Sequence, residues 1–362
     1  MSNIRDIIGE ELARKRAISF ERFMELALYC PNSGYYERPD TLVGRRGDFF
    51  TSVSIGSLFG ELLAHRFALW LASTPGSKRQ ILEAGGHDGR LAADILKCLQ
   101  EQQPDAFETL EYWLLEPSPN RRAAQKKMLG TFSGKVRWFE SWDVLPADGV
   151  RGVIFSNELL DAMPVRRAGW DAAQKEWFEW GVALSGEKFI WIKMPADDEL
   201  LTEIISWNLP PGLLQVLPDG FTTEVGRAAM TWWRRAANCL KEGKLLTFDY
   251  GLEREEFFAP ERKEGTLRAY YRHHLETDLL ARPGEQDITA QVDFTGVREV
   301  GSRAGLGGGS LTTQEQFLTR LLQEISRVTP SGMDWARWSR AFQTLIHPEH
   351  LGRSFRVLLQ ER

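Results

Sequence analysis

The residues QILEAGGHDGRL at positions 80–91 decide the fold of this chain. Positions 80–84 have the apolar character of a buried strand, and a helical pattern begins at Leu91. The glycines at positions 85, 86 and 89 allow positive φ angles and a close approach of backbone to a ligand. A strand that leads through glycines into a helix is typical of a parallel α/β sheet, which binds ligands at the carboxyl ends of its strands.

The alternation of strands and helices continues after this stretch. It predicts an α/β fold, a Rossmann-like sheet with helices on both faces. Polar residues follow several of the strands, and a ligand is expected beside them. The predicted strands are 80–84, 112–115, 136–139, 153–155, 245–248 and 355–360, and the helices between the first of them are 91–100 and 121–129.

Three parts are predicted along the chain. Residues 1–78 form an N-terminal helical extension that carries one polar loop. Residues 79–165 and 244–362 form the core around the sheet. Residues 166–243 are too long for one crossover; they contain a predicted hairpin, 175–194, and are expected to form an inserted α+β lid. Residues 252–294 are irregular and polar, and they too are expected to lie over the strand ends as part of the lid.

Composition excludes several classes of protein. The chain has 362 residues, of which 43% are hydrophobic and 26% charged, as in a folded globular protein. The formal charge of −5 argues against a dedicated nucleic-acid binder or a polybasic membrane binder. No apolar run approaches the roughly 18 residues that a membrane-spanning helix needs. The three cysteines lie far apart, so we expect neither a disulfide framework nor a metal site.

The first sixteen residues mix acidic and basic side chains. A signal peptide has a basic start and an apolar core, and a transit peptide is poor in acids. Asp6, Glu10 and Glu11 argue against both. We therefore expect a cytoplasmic location.

The glycine loop does not fit the common nucleotide motifs. Arg90 stands where the last glycine of G-x-G-x-x-G would be, and the Gly-Lys-Ser/Thr end of a P-loop is missing. Glu83 precedes the glycines, and Glu116 ends the next strand, where a carboxylate would bind a ribose diol. Carboxylates beside glycines suit the ammonium and sulfonium of S-adenosyl-L-methionine, which we predict as the cofactor. The alternatives are a plain tight turn at the glycines and a surface or helix-start acid at Glu116.

Several further blocks, taken in order, resemble the MidA-type class I methyltransferases, a family that includes the mitochondrial complex I assembly arginine methyltransferases. The resemblance extends from Ser33 over nearly the whole chain. It implies a class I methyltransferase fold, S-adenosyl-L-methionine as cofactor and, for eukaryotic members, symmetric dimethylation of a protein arginine. Besides the glycine loop, the matching blocks are residues 33–36, 47–52, 58–61, 116–119, 157–165, 249–251, 265–268 and 283–290.

The cofactor-binding candidates follow the predicted strands or belong to the block at 47–52. Thr51 and Ser52 are expected either to bind the methionine carboxylate or to cap the following helix. The full set is Glu83, Gly85, Gly86, Gly89, Glu116, Ser118, Asn157, Thr51 and Ser52.

Two departures from the family pattern stand out. The family loop usually reads G-P-G-x-G, whereas His87 replaces the middle glycine here. Its side chain is expected to face away from the cofactor. Val53-Ser54 stands where the family usually has Pro-Glu, so one carboxylate near the site is absent.

Arginine methylation requires carboxylates that hold the guanidinium and receive a proton, because the charged group is a poor nucleophile. Glu158 and Asp161 are the first candidates, and they would share a face if a helical turn begins after the fourth strand. Asp48 and Asp287 are second choices from flanking loops. The structural alternative for Glu158 and Asp161 is stabilisation of a helix start with Asn157 as the cap.

Three functions remain open at this point. The first is a protein-arginine methyltransferase that acts on a partner protein, with a homodimer left open. The second is an N- or O-methyltransferase for a small molecule. The third is an inactive assembly or binding factor on the same scaffold, which the departure at His87 keeps open.

Overall fold

The computed structural model describes residues 3–38, 51–76, 78–272, 274–328, 335–347 and 351–362. Within them the helices are α1 Ile4–Lys15, α2 Phe20–Tyr29, α3 Leu58–Ser73, α4 Arg90–Gln102, α5 Pro104–Thr109, α6 Pro119–Met128, α7 Asp198–Ser206, α8 Pro211–Val216, α9 Arg227–Cys239, α10 Phe294–Arg303, α11 Gln314–Val328 and α12 Trp335–Ile346. The strands are β1 Ile18–Ser19, β2 Arg79–Ala84, β3 Leu110–Leu115, β4 Val136–Phe139, β5 Val150–Asn157, β6 Arg166–Asp171, β7 Glu176–Ser185, β8 Lys188–Pro195, β9 Thr222–Val225, β10 Leu240–Leu252, β11 Arg268–Tyr271, β12 His274–Glu276, β13 Asp287–Thr289, β14 Val292–Asp293, β15 Gly307–Thr313 and β16 Phe355–Glu361.

The chain divides into two compact units, each made of three segments. The parallel-sheet unit contains Phe50–Leu160, Trp232–Gly251 and Val297–Arg362. The antiparallel-sheet unit contains Met1–Phe49, Asp161–Thr231 and Leu252–Gly296.

The sheet of the parallel-sheet unit has the strand order β15-β16-β10-β5-β2-β3-β4. Strands β10, β5, β2, β3 and β4 are parallel, and β16 is antiparallel to both of its neighbours. The strand order reverses between β2 and β5, because β3 and β4 lie on one side of β2 and β10 lies beyond β5. This reversal confirms the predicted Rossmann-like sheet, and sheets of this order bind ligands at the carboxyl ends of the strands beside the reversal, which are β2 and β5 here.

Helix α3 belongs to the core of the parallel-sheet unit. Its residues Phe59 and Phe67 are fully buried, and their rings lie 5.2 Å from Phe248 and 5.0 Å from Phe155 on the sheet. The sequence placed this helix in an N-terminal extension that ends at residue 78. The extension is shorter in the structure, since the apolar face of α3 is buried against the strands.

The antiparallel-sheet unit contains the sheet β1-β7-β6-β9, with β8 paired to β7, and the smaller sheet β12-β11-β13. The predicted hairpin is present as β7 and β8, in which Ser185 pairs with Lys188. Residues 252–296 also belong to this unit, whereas the predicted domain division counted them with the core. Their irregular, polar sequence had already set them apart from the alternating strands and helices. The buried carboxylate of Glu224 on β9 explains the difference, because it accepts hydrogen bonds from Thr266 N and Oγ1 at 2.7 and 2.8 Å. The role of the insertion as a lid stays a prediction.

No helix in the described part of the chain combines the length and the apolar character needed to cross a membrane.

Candidate functional site

The glycine loop has backbone angles that L-residues rarely adopt. The φ angles of Gly85, His87 and Gly89 are 72°, 43° and 88°. Gly89 N donates to Gly86 O at 2.8 Å, and Gly89 is the N-cap of α4. Glycine is therefore required at 85 and 89, and His87 carries the strain of a left-handed backbone.

Two of the glycines also give their neighbours room. A Cβ atom on Gly85 would lie 2.8 Å from Leu159 Cδ1, and one on Gly86 would lie 3.1 Å from Glu83 Cδ. The loop can lie against the end of β5 and against Glu83 only because these two positions have no side chain.

Glu83 is a buried acid at the end of β2, with 2% of its surface exposed. Tyr112 Oη donates to Glu83 Oε2 at 2.7 Å. Burial raises the pKa of Glu83 to about 7; the Tyr112 hydrogen bond opposes this rise, and the charges of Asp88 and Glu116 add to it. The sequence reasoning missed Tyr112, although the pairing of Ile81 with Tyr112 brings this ring within diagonal reach of Glu83.

Glu116 lies at the end of β3 and is also buried. Its Oε1 accepts from Ser118 N at 3.0 Å, and its Oε2 accepts from Gln125 Nε2 at 3.3 Å. The Ser118 hydroxyl accepts from Arg121 N at 3.4 Å and caps α6. The structure thus brings Glu116 and Ser118 together and adds Gln125, to which the sequence had given no role.

Asn157 ends β5 beside the glycine loop, because Ala84 pairs with Ser156 one residue earlier. Its Nδ2 donates to Glu158 Oε1 at 3.0 Å. Its Oδ1 is buried and accepts no hydrogen bond within the described part of the chain. A buried acceptor without a donor is costly, so this atom marks a place where a ligand donor fits.

The segment after Asn157 does not form the expected helical turn. Glu158 has a φ angle of 51°, and its N–H donates to Phe248 O at 2.9 Å. The next two N–H groups, of Leu159 and Leu160, donate to Asp249 Oδ2 at 3.1 and 2.8 Å. Asp249 on β10 therefore fixes this segment as an irregular loop, and the expectation that Glu158 and Asp161 share a helical face is wrong.

Asp161 lies in the antiparallel-sheet unit, whereas Glu158 lies in the parallel-sheet unit. Asp161 is buried, and its carbonyl oxygen accepts from Ala290 N at 2.9 Å. Asp287, in the same unit, is buried and accepts from Tyr36 Oη at 2.8 Å. Asp48 lies outside the described residues.

The side chains of Thr51 and Ser52 form hydrogen bonds with other residues of the chain. Thr51 Oγ1 accepts from Ser54 N at 3.2 Å and caps a short 3₁₀ helix, which matches one of the two expected roles. Ser52 is fully buried and donates to Gln314 Oε1 at 3.2 Å.

His87 is half-buried and contacts its neighbour, with Nδ1 at 3.9 Å from Asp88 Oδ1. The carbonyl oxygen of His87 accepts from Gln125 Nε2 at 3.0 Å. The direction of its side chain relative to a cofactor stays a prediction.

Comparison with known proteins agrees with this geometry. The model of a family of S-adenosyl-L-methionine-dependent methyltransferases matches residues 62–308. A crystal structure from Burkholderia thailandensis, bound to S-adenosyl-homocysteine, is similar with a TM-score of 0.84 and 30% identity over 99% of this chain and 92% of that one.

Two curated relatives are similar over most of their length. The mitochondrial protein arginine methyltransferase NDUFAF7 of Danio rerio is 28% identical over 98% of this chain and 86% of that protein. Its Drosophila melanogaster homologue is 26% identical over 94% of this chain and 80% of that protein.

Proposed function

Since the chain belongs to the MidA-type family of S-adenosyl-L-methionine-dependent methyltransferases, we propose that it methylates an arginine in a partner protein. The names of the curated relatives support arginine as the acceptor. In this chain the buried Asn157 Oδ1 beside the glycine loop supports a bound cofactor. The Glu158 carboxylate, which accepts from Asn157 Nδ2 at 3.0 Å, supports a cationic acceptor next to it.

The residues at the strand ends fit the cofactor. Asn157 Oδ1 is suited to accept a hydrogen bond from the ammonium of the methionine part, which would end its lack of a donor. The N-terminus of α4 at Gly89 favours a carboxylate. In this proposal Glu116 binds the ribose diol, and S-adenosyl-L-methionine supplies the electrophilic methyl group when bound.

Glu158 is proposed as the carboxylate that holds the acceptor. Its Oε1 already accepts from Asn157 Nδ2, which ties it to the proposed ammonium site. A guanidinium has a pKa above 12, so a carboxylate must localise its charge and receive the proton that is lost during transfer. Asp161, Asp287 and Asp48 stay sequence-based predictions as further acceptor-binding carboxylates.

The experiment compares Glu158→Gln with the wild-type enzyme. The purified proteins are incubated with a cell lysate and labelled S-adenosyl-L-methionine, and modified peptides are identified by mass spectrometry. We expect Glu158→Gln to lower the initial rate about 30- to 1,000-fold, the effect of losing one electrostatic contact in a transition state. Its affinity for S-adenosyl-L-homocysteine, measured by calorimetry, should stay within a few-fold of wild type.

The matched control is Glu140→Gln, since Glu140 is exposed and forms a long surface pair with Arg122 at 3.8 Å. That variant should methylate at the wild-type rate. A methyl group found on a residue other than arginine would refute the proposed acceptor. Cofactor binding without any methyl transfer would favour the inactive factor.

The cytoplasmic location predicted from the sequence is not confirmed. The names of the curated relatives place those proteins in mitochondria. A protein substrate follows from the proposed reaction, whereas a homodimer stays open.

A further inference from the structure

The side chain of Gln125 is completely buried and connects two parts of the cofactor site. It lies on α6, and its Nε2 donates to His87 O at 3.0 Å and to Glu116 Oε2 at 3.3 Å. One amide group thus binds both the glycine loop and the carboxylate at the end of β3.

We propose that Gln125 is a positioning residue that sets the orientation of Glu116 toward the cofactor ribose and thereby makes the site selective for a ribonucleoside. This inference rests on the proposed cofactor. A carboxylate recognises two vicinal hydroxyls only when its plane faces them. Contacts to both oxygens of Glu116, from Ser118 N to Oε1 and from Gln125 Nε2 to Oε2, hold that plane.

A third contact decides which way the Gln125 amide faces. Trp138 Nε1 donates to Gln125 Oε1 at 3.2 Å. An amide turned by 180° would place its NH₂ against this indole N–H and its oxygen against two acceptors, His87 O and Glu116 Oε2. Both changes are unfavourable, so Gln125 holds Glu116 as a donor in one defined geometry.

The contacts around position 125 disfavour a glutamate or an apolar side chain. A Cβ on Gly89 would lie 3.3 Å from Gln125 Cα, so α6 packs closely on the glycine loop. Glutamate at position 125 would face the acceptors Glu116 and His87 O with a further acceptor. An apolar side chain would leave three polar groups without this partner.

The test measures affinity by calorimetry for S-adenosyl-L-homocysteine and for its 2′-deoxyadenosine analogue. A hydrogen bond to a charged group predicts that wild type prefers the ribonucleoside about 10- to 100-fold. We expect Gln125→Met to reduce this preference about 5- to 10-fold, because Glu116 is then free to turn away from the diol. In a Glu116→Ala background, Gln125→Met should change the preference no further.

Lys127→Met is the matched control, because Lys127 is an exposed residue on the same helix and none of the contacts described above involves it. Its preference should stay within about twofold of wild type. Gln125→Asn, which keeps the amide but is one methylene shorter, replaces Gln125→Met if thermal unfolding shows that the latter does not fold.

Equal weakening of both ligands by Gln125→Met, with an unchanged preference, would overturn the positioning role and leave Gln125 as a packing residue. Failure of the wild-type protein to bind S-adenosyl-L-homocysteine would instead refute the proposed cofactor itself. The two failures are therefore distinguishable.

Discussion

Two glutamates, each with 2% of its surface exposed, show that this chain buries carboxylates in two different ways. In the antiparallel-sheet unit, Glu179 is bound by Arg166, whose Nε donates to Glu179 Oε1 at 2.8 Å. Arg166 also binds Asp197, at 2.7 Å. In the parallel-sheet unit, Glu83 accepts from a neutral phenol, Tyr112, and the nearby charges that act on it are negative.

We interpret Glu179 as a structural acid and Glu83 as a candidate ligand-binding acid. A buried charge with an opposite charge beside it is compensated locally, whereas a buried acid among other acids raises the free energy of the folded state. Such a cost is typical of sites that a ligand completes. The buried acid of the parallel-sheet unit lies at the glycine loop, where the proposed cofactor would bring a positive charge.

The largest expected effect comes from removing the arginine that binds Glu179. Arg166→Met leaves Glu179 buried without its cation and should lower the free energy of unfolding by about 3–5 kcal/mol. Urea unfolding monitored by tryptophan fluorescence measures the change. The control Arg14→Met removes an exposed pair with Glu10 at 3.8 Å and should change stability by less than about 1 kcal/mol. Equal effects of the two variants would remove the distinction between the two acids.

Replacing Glu83 should have the opposite effect and raise the free energy of unfolding at pH 8. The carboxyl group of Glu83 has a pKa of about 7 in the folded protein and of about 4.5 in the unfolded chain. Wild-type stability should therefore fall as the pH rises from about 4.5 to about 7 and stay lower above that range. Glu83→Gln should remove this fall and be more stable than wild type at pH 8, by up to about 3 kcal/mol.

The measurement is urea unfolding of both proteins without cofactor at pH 4.5 and pH 8. Glu111→Gln on the neighbouring strand is the control, because Glu111 is partly exposed and pairs with Lys78 at 3.3 Å on the surface. A parallel loss of stability in wild type and Glu83→Gln between the two pH values would contradict the buried-acid interpretation.

The smallest effect concerns one strained residue in each unit. His87 and Lys175 have φ angles of 43° and 56°. Replacing either with glycine should raise stability by about 0.5–1 kcal/mol, since relief of the left-handed backbone is partly offset by the entropy of the unfolded chain. His87→Gly should leave the affinity for S-adenosyl-L-homocysteine within a few-fold, and Lys175→Gly should not change it. A gain of about 100-fold in His87→Gly, or about 2.7 kcal/mol, would show that His87 obstructs the site and would favour the inactive factor.

Local pattern was enough to predict which strand-end acids are candidates for cofactor binding, and their binding role stays a prediction. Glu83 and Glu116 were identified because each follows an apolar strand, and the parallel sheet places the ends of neighbouring strands together. The doubly wound sheet and the β7–β8 hairpin follow from the same kind of short-range pattern. These features depend on residues within about one element of each other.

The other features of the candidate site depend on residues that are distant in the sequence. Tyr112 and Gln125 act through the register between strands and the packing of α6, which the residue pattern does not specify. The helical turn expected after Asn157 was wrong because Asp249, far along the chain on β10, binds two of its N–H groups. The predicted boundary at residue 78 differs from the structure for a similar reason. The pattern of α3 is the same in an N-terminal extension as in the core, and only tertiary packing assigns the helix to the parallel-sheet unit.

Strand β16 lies between β10 and β15, and its residue Gln360 pairs with Leu245 of β10. On the order of 100 residues separate Leu245 from Gln360 in the sequence. A ribosome that adds about 5–20 residues per second needs roughly 5–20 s to synthesise them. During that interval the edge of β10 that β16 later covers has no partner, and the fully buried Leu246 and Phe248 of that strand belong to an unfinished sheet. The nascent chain is consequently most prone to aggregate in the seconds before residues 355–361 leave the exit tunnel.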